Sequence, residues 1–146
     1  MFKKGIFFRK EKMTTKFLKE NADYFYFAFR VLVGLMFIQH GAQKLFGAFG
    51  GVTGEGSTVQ LFSLFGLAGV IEFFGGLLFG FLTRWAALFG IFDMLGAWIK
   101  VHIKIGWIPI LNQGELVVLF FASFLIILVY GAKKWGLDNL LFRSKK

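Results

Sequence analysis

Four stretches of this chain are dominated by apolar residues, and most polar residues fall between or beyond them. The stretches run roughly from Tyr24 to Phe46, Leu61 to Leu82, Trp85 to Ile103 and Glu115 to Gly131. Each approaches the length of about 20 residues that carries an α-helix across a bilayer. Spans in lipid must be helical, because hydrocarbon offers nothing to an unpaired backbone N–H or C=O. Only the short Thr83–Arg84 turn separates the second stretch from the third, so these two form an antiparallel helical hairpin. The expected fold is all-α: a polytopic four-transmembrane-helix bundle.

The polar positions inside the spans are periodic. In the second span Ala68, Glu72, Gly76 and Gly80 recur every fourth residue, which is one helix face. Gly76 and Gly80 have the GxxxG spacing of closely approaching helices, so Glu72 faces protein rather than lipid. In the third span Ala86, Gly90, Asp93, Ala97, Lys100 and Lys104 form one stripe. In the first, Arg30, Gly34, Phe37, Gly41 and Lys44 do the same, with His40 one turn before Lys44. The helix-packing positions read from these stripes are Gly34, Gly41, Ala68, Gly76, Gly80, Gly90 and Ala97.

Counting ~1.5 Å per residue puts Glu72 ~15 Å from the outer end of its helix and Asp93 ~12 Å from the inner end of its own, both near the midplane. Arg30 lies in the inner half; His40, Lys44, Lys100, His102 and Glu115 lie in the outer half. An unpaired charge at the midplane costs at least ~2.5–3.5 kcal/mol. Partners are therefore expected: Arg30 near Asp93 toward the cytoplasm, and Glu72 with either His40 or Lys44 toward the outside. The stretch MFIQHGAQKLFG, Met36 to Gly47, then forms one wall of a polar interior. These eight ionisable residues, Arg30, His40, Lys44, Glu72, Asp93, Lys100, His102 and Glu115, are the candidates for ligand binding or proton handling. The alternative is that they glue the bundle and snorkel at its rim.

Composition agrees with the pattern. Of 146 residues 57% are hydrophobic and 22 are Phe, more apolar surface than a soluble chain of this length could hide. The net charge of +9 does not point to nucleic acid, because the basic residues gather at the chain ends. Residues 1–22 carry seven Lys or Arg, the tail 133–146 carries five, and the Gly47–Gln60 loop carries none. The positive-inside rule then makes both termini and the Arg84 turn cytoplasmic. Three regions follow: a basic segment 1–22, a transmembrane domain 23–132 and a basic tail 133–146. The first is either a solvated tail or an interfacial helix with Phe2, Ile6, Phe7, Phe17 and Leu18 toward lipid. It has no signal-peptide pattern. The Gly47–Gly56 loop lacks the ending of a phosphate loop and reads as a flexible connection with a turn at Gly50–Gly54.

The ordered set RVLVGLMFIQHGAQKLFG, EFFGGLLFGFLTRWAAL and DMLGA resembles the DoxX family of small prokaryotic membrane proteins. The ending GAKKWGLDNLL resembles that family's closing SLD-like segment, with Gly136 where Ser is usual. The resemblance covers about residues 24–142. It implies a four-helix multi-pass protein of the prokaryotic plasma membrane. It also implies a link to redox complexes, since some members serve a thiosulfate–quinone oxidoreductase or partner superoxide dismutase and a sulfurtransferase.

The chain has no cysteine, so sulfur or electron chemistry would need a bound quinone, a haem or a partner subunit. The leading expectation is a quinone-linked subunit of an oxidoreductase complex, with Phe37, Phe73 and Trp98 as aromatic walls. A bis-His haem between His40 and His102 is disfavoured by their unequal depth, and no metal is expected. The alternatives are a binding or transport module for a small apolar or weakly acidic molecule, which would call for a homo-oligomer, and a membrane anchor for soluble enzymes. No HExxH, nucleophile elbow or Walker sequence names a catalytic residue.

Overall fold

The computed structural model describes residues 13–137. Phe2, Ile6 and Phe7, and the tail beyond Leu137, lie outside the described residues. Residues 13–20 are helical and exposed, with Lys16 and Glu20 3.8 Å apart. A turn at Asn21 separates them from the first long helix.

Four longer helices follow: α1 (Ala22–Phe46), α2 (Leu64–Leu77), α3 (Thr83–Lys100) and α4 (Glu115–Tyr130). The fold is all-α. α1 and the stretch Thr83–Lys104 are long and apolar enough to cross a membrane; α2 and α4 are shorter apolar helices. α1 stops where Gly47 takes a left-handed conformation (φ 67°) and returns its N–H to the Ala42 carbonyl, the usual glycine device for closing a helix.

The second apolar stretch is less helical than its sequence suggests. Leu61 and Phe62 lie in a turn, and the helix begins after Ser63, whose hydroxyl accepts from the Gly66 N–H at 3.0 Å. This cap fixes the start. At the other end α2 tightens into a 3₁₀ turn over Leu78–Gly80, and Leu82 adopts φ 55° just before α3. The turn between α2 and α3 thus takes Phe81 and Leu82 from the expected span. The loop after α1 is tied down rather than open. Val59 N–H donates to the Lys44 carbonyl at 2.9 Å, and Gly56 N–H to Gly50 at 3.0 Å. Gln43 Nε2 reaches the Gly51 carbonyl at 3.0 Å.

α1 lies along α2 and α3 along α4, and the two pairs meet through an aromatic core. Phe37 of α1 is fully buried and meets Phe124 of α4 edge-on, with centroids 4.8 Å apart. Small residues permit the contacts. A Cβ on Gly76 would come 2.6 Å from the Gly34 carbonyl oxygen, and one on Gly90 would come 2.7 Å from the Phe124 ring. A Cβ on Gly41 would collide with the Phe73 backbone. Gly80 differs: a Cβ there meets nothing within 4 Å. Ala68 and Ala97 line a cavity. The outer surface is studded with apolar side chains such as Leu32, Phe62, Phe92, Leu119 and Val129. A soluble monomer rarely exposes so much contiguous apolar surface.

These contacts separate two glycines that the sequence treats alike. Gly76→Ala should lower stability in detergent by ~1–3 kcal/mol, the usual cost of overpacking. Gly80→Ala should stay within ~0.5 kcal/mol of wild type, as at sites away from such features. Thermal or denaturant unfolding of the two variants checks this, and equal losses would contradict the packing described.

Candidate functional site: a charged cluster between three helices

Lys44 and Glu72 form a buried ion pair between α1 and α2. The Lys44 ammonium donates to Glu72 Oε1, and the Glu72 side chain is only 5% exposed. The helices approach closely here because Gly69, one turn before Glu72, has no side chain. A Cβ on it would come 3.0 Å from Lys44 Cβ. Of the two expected partners for Glu72, the structure selects Lys44. His40 instead sets its ring edge-on to Phe120 of α4, at 5.7 Å and 83°.

Asp93 of α3 completes the cluster. Glu72 and Lys44 are the charged groups that act on it. It has no ion-pair partner among the described residues. Glu72 Oε2 and Asp93 Oδ2 are buried and lack hydrogen-bond partners among those residues. Buried polar atoms are nearly always paired, so two orphans side by side mark an unusual place. Asp93 and Glu72's partner Lys44 line a cavity of about 320 Å³ between α2 and α3, with Lys100 the third polar residue on its wall. Leu64, Phe65, Leu67, Ile71 and Phe92 supply apolar walls. An apolar hollow with a few convergent polar groups has the general character of a small-molecule site.

The other candidates lie apart from this cluster. The His102 ring stacks on Trp98 with centroids 6.2 Å apart, and its Nδ1–H donates to the Asn112 carbonyl at 2.9 Å. Asn112 is itself buried and organises the loop before α4: Nδ2 donates to Gly106 at 2.6 Å, and Oδ1 accepts from the Gly114 N–H at 2.8 Å. Glu115 is exposed in the first turn of α4, where a carboxylate favours the positive helix end. Among the described residues no three His, Asp or Glu gather as a metal-holding group.

The expected Arg30–Asp93 pair does not form. Arg30, 1% exposed, turns to the carbonyl end of α4. It donates to the Ala132 carbonyl and to the Trp135 carbonyl, the latter at 3.2 Å, and lies 5.6 Å over the Phe27 ring. Tyr26 OH donates to Gly131 O at 2.7 Å, and Arg84 reaches Val129 O at 3.4 Å. The last carbonyls of a helix lack intrahelical donors, and cations favour that end. Arg84 serves such a carbonyl at Val129, while Arg30 and Tyr26 bind carbonyls of the segment just beyond the helix. Lys133 and Lys134 add ion pairs to Asp23 at 3.7 and 3.3 Å. Tyr26 is a residue that charge-based reading passes over, although its position four before Arg30 puts it on the same face. Asn112 carries no such signal; its role exists only once the 106–114 loop has folded around it.

Removing one member of the ion pair should be far worse than removing both. Lys44→Met should destabilise by ~3–5 kcal/mol by leaving Glu72 buried and uncompensated, and Lys44→Met/Glu72→Leu should recover most of that loss. A double-mutant cycle by unfolding in detergent reads the difference. Additive losses would mean that the two side chains are not coupled.

The DoxX family matches residues 25–103. An uncharacterized protein of Haemophilus influenzae is 34% identical over 132 residues, covering 87% of this chain and 98% of its own. A Bacillus subtilis protein named "Putative oxidoreductase CatD" is 30% identical over 126 residues, covering 80% of this chain and 87% of its own. No solved structure gives a significant match. With its apolar surface and paired apolar helices, the chain belongs to the DoxX family of membrane proteins.

Proposed function

We propose that the chain is a multi-pass protein of the prokaryotic plasma membrane that binds a quinone-type ring in the α2–α3 cavity, as a subunit of an oxidoreductase complex. All four helices cross the bilayer. Residues 1–22, the α2–α3 connection with Arg84 at the start of α3, and the tail 133–146 face the cytoplasm, flanking a transmembrane domain of residues 23–132. α2 alone reaches only ~21 Å at ~1.5 Å per residue. The apolar residues 61–63 and 78–82 on either side supply the rest of the crossing.

The observation that carries the reading is an apolar cavity lined by Asp93, which has a buried oxygen without a hydrogen-bond partner among the described residues, and by Lys44, which is paired to Glu72. The residues present fit a quinone. Phe65, Phe92 and Ile71 offer apolar walls, while Lys44, Lys100 and Asp93 offer polar contacts. A bound quinone would supply the two-electron chemistry that this cysteine-free chain lacks. The chain's own residues would hold the ring, exclude water from it and accept or return protons at the Glu72 and Asp93 carboxylates. The name of the Bacillus subtilis relative supports a redox setting. Electrons would come from a soluble partner enzyme at the basic cytoplasmic face, and a second copy of the chain is compatible with the exposed outer surface.

Lipid extraction and mass spectrometry of protein purified in mild detergent test this. The expected result is near-stoichiometric quinone in wild type and several-fold less per mole of folded protein in Glu72→Gln. A preparation carrying no quinone in either form, or taking up none when it is added, would remove the redox reading. It would favour a binding or anchoring role for the same bundle.

A further inference from the structure

The close-packed glycines of this bundle have a reason that Gly96 lacks. A Cβ on Gly41, Gly76 or Gly90 would run into a neighbouring helix, and one on Gly69 would come 3.0 Å from Lys44 Cβ. On Gly96 of α3 it would meet nothing within 4 Å among the described residues. Glycine inside a helix costs stability relative to alanine, so one that no contact requires calls for another explanation. Gly96 is exposed, and it lines the same cavity as Asp93 and Lys44. Phe92 and Lys100 stand one turn before and one turn after it on the same face of α3, and both line that cavity too.

The cavity opens to the outside of the bundle. Leu64, Phe65 and Leu67 of α2 and Phe92 of α3 line it, yet each remains 52–69% exposed. Apolar side chains on the outer surface of a membrane bundle meet hydrocarbon, so the walls of this opening face lipid. The volume of about 320 Å³ is at the lower end for a ligand pocket, with room for a ring and short substituents but not for a long chain. Resting on the quinone reading above, we propose that the ligand is a membrane-resident ring with a long hydrocarbon tail, and that Gly96 is its doorway. The ring lies inside beside Asp93, and the tail passes over Gly96 into the bilayer. The absent side chain is the gap that the tail occupies. Because the tail lies among apolar groups whether the ring is bound or free, it adds little to affinity. Residue 96 instead decides whether a tailed ring is admitted.

Two quinones with the same fully substituted ring test this: 2,3-dimethoxy-5,6-dimethyl-1,4-benzoquinone and its analogue with decyl in place of one ring methyl. Binding is read by retention on the immobilised full chain in detergent, each affinity corrected for partition into protein-free micelles. In wild type the two should bind within about threefold of each other, since the tail keeps apolar surroundings throughout. Gly96→Leu should weaken the decyl form at least about tenfold more than the methyl form, because the added bulk stands where the tail must pass. Gly80→Leu puts the same bulk at another open glycine, outside this cavity, and should leave both affinities unchanged. Should Gly96→Leu fail to fold, Gly96→Cys alkylated after folding with N-cyclohexylmaleimide supplies the bulk, since the chain has no cysteine of its own. A wild-type protein that takes the methyl form and excludes the decyl form overturns the doorway. So does a loss in the residue-96 variant that is equal for the two quinones, or no loss at all. Each of these leaves a quinone site in place. Binding of neither quinone to wild type overturns both readings.

Discussion

A lysine and a glutamate that meet away from water hold this molecule to one arrangement. Alone, either charge would be expensive in lipid or in a protein interior. Together they require α1 and α2 to lie close and in register. The glycines follow from that requirement: Gly41 clears the Phe73 backbone, Gly69 clears Lys44, and Gly76 lies against the Gly34 carbonyl. The pair is thus both a product of close helix packing and a reason for it.

A second polar pole lies at the opposite end of the bundle. Tyr26 and Arg30 of α1 and Arg84 of α3 supply donors to carbonyls at the end of α4 and in the segment just after it, from Val129 to Trp135. Between the poles sits an aromatic core of Phe37, Phe120 and Phe124. The two poles differ in how complete they are. At the α4 end, donors meet carbonyls that need them. At the Lys44–Glu72 end, the ammonium pairs with Glu72 alone, Asp93 faces a cavity, and one oxygen of each carboxyl group lacks a hydrogen-bond partner among the described residues. That asymmetry is the physical basis for placing a ligand at one pole and structural work at the other.

The periodicity of small residues made much of this legible in the sequence. It put Glu72 and Lys44 on facing helix surfaces, because both belong to stripes that must be turned away from lipid. It failed for Arg30, since counting charges overlooks backbone carbonyls as partners. It also gave Gly80 the same role as Gly76. Only the 3₁₀ turn at Leu78–Gly80 takes Gly80 off the contact face, and no four-residue spacing reveals such a turn. The start of α2 was hidden for a similar reason: Leu61 and Phe62 look like span residues, yet Ser63 caps the helix behind them. Resemblance in the sequence pointed to the DoxX family, and the family match over residues 25–103 bears this out. Which helices would enclose a ligand cavity was not readable, because it depends on how α2 and α3 pack around Ala68 and Ala97.

The central claim is that the cavity beside Lys44, Glu72 and Asp93 is where a ring binds. Photolabelling with an azido-substituted quinone, followed by peptide mapping, tests it most directly. The account predicts adducts on residues 64–71 and 92–101, suppressed by excess unlabelled quinone. Adducts concentrated instead in the groove lined by Phe27, Arg30, Ile38 and Trp135, or spread without protection over the apolar exterior, would contradict it.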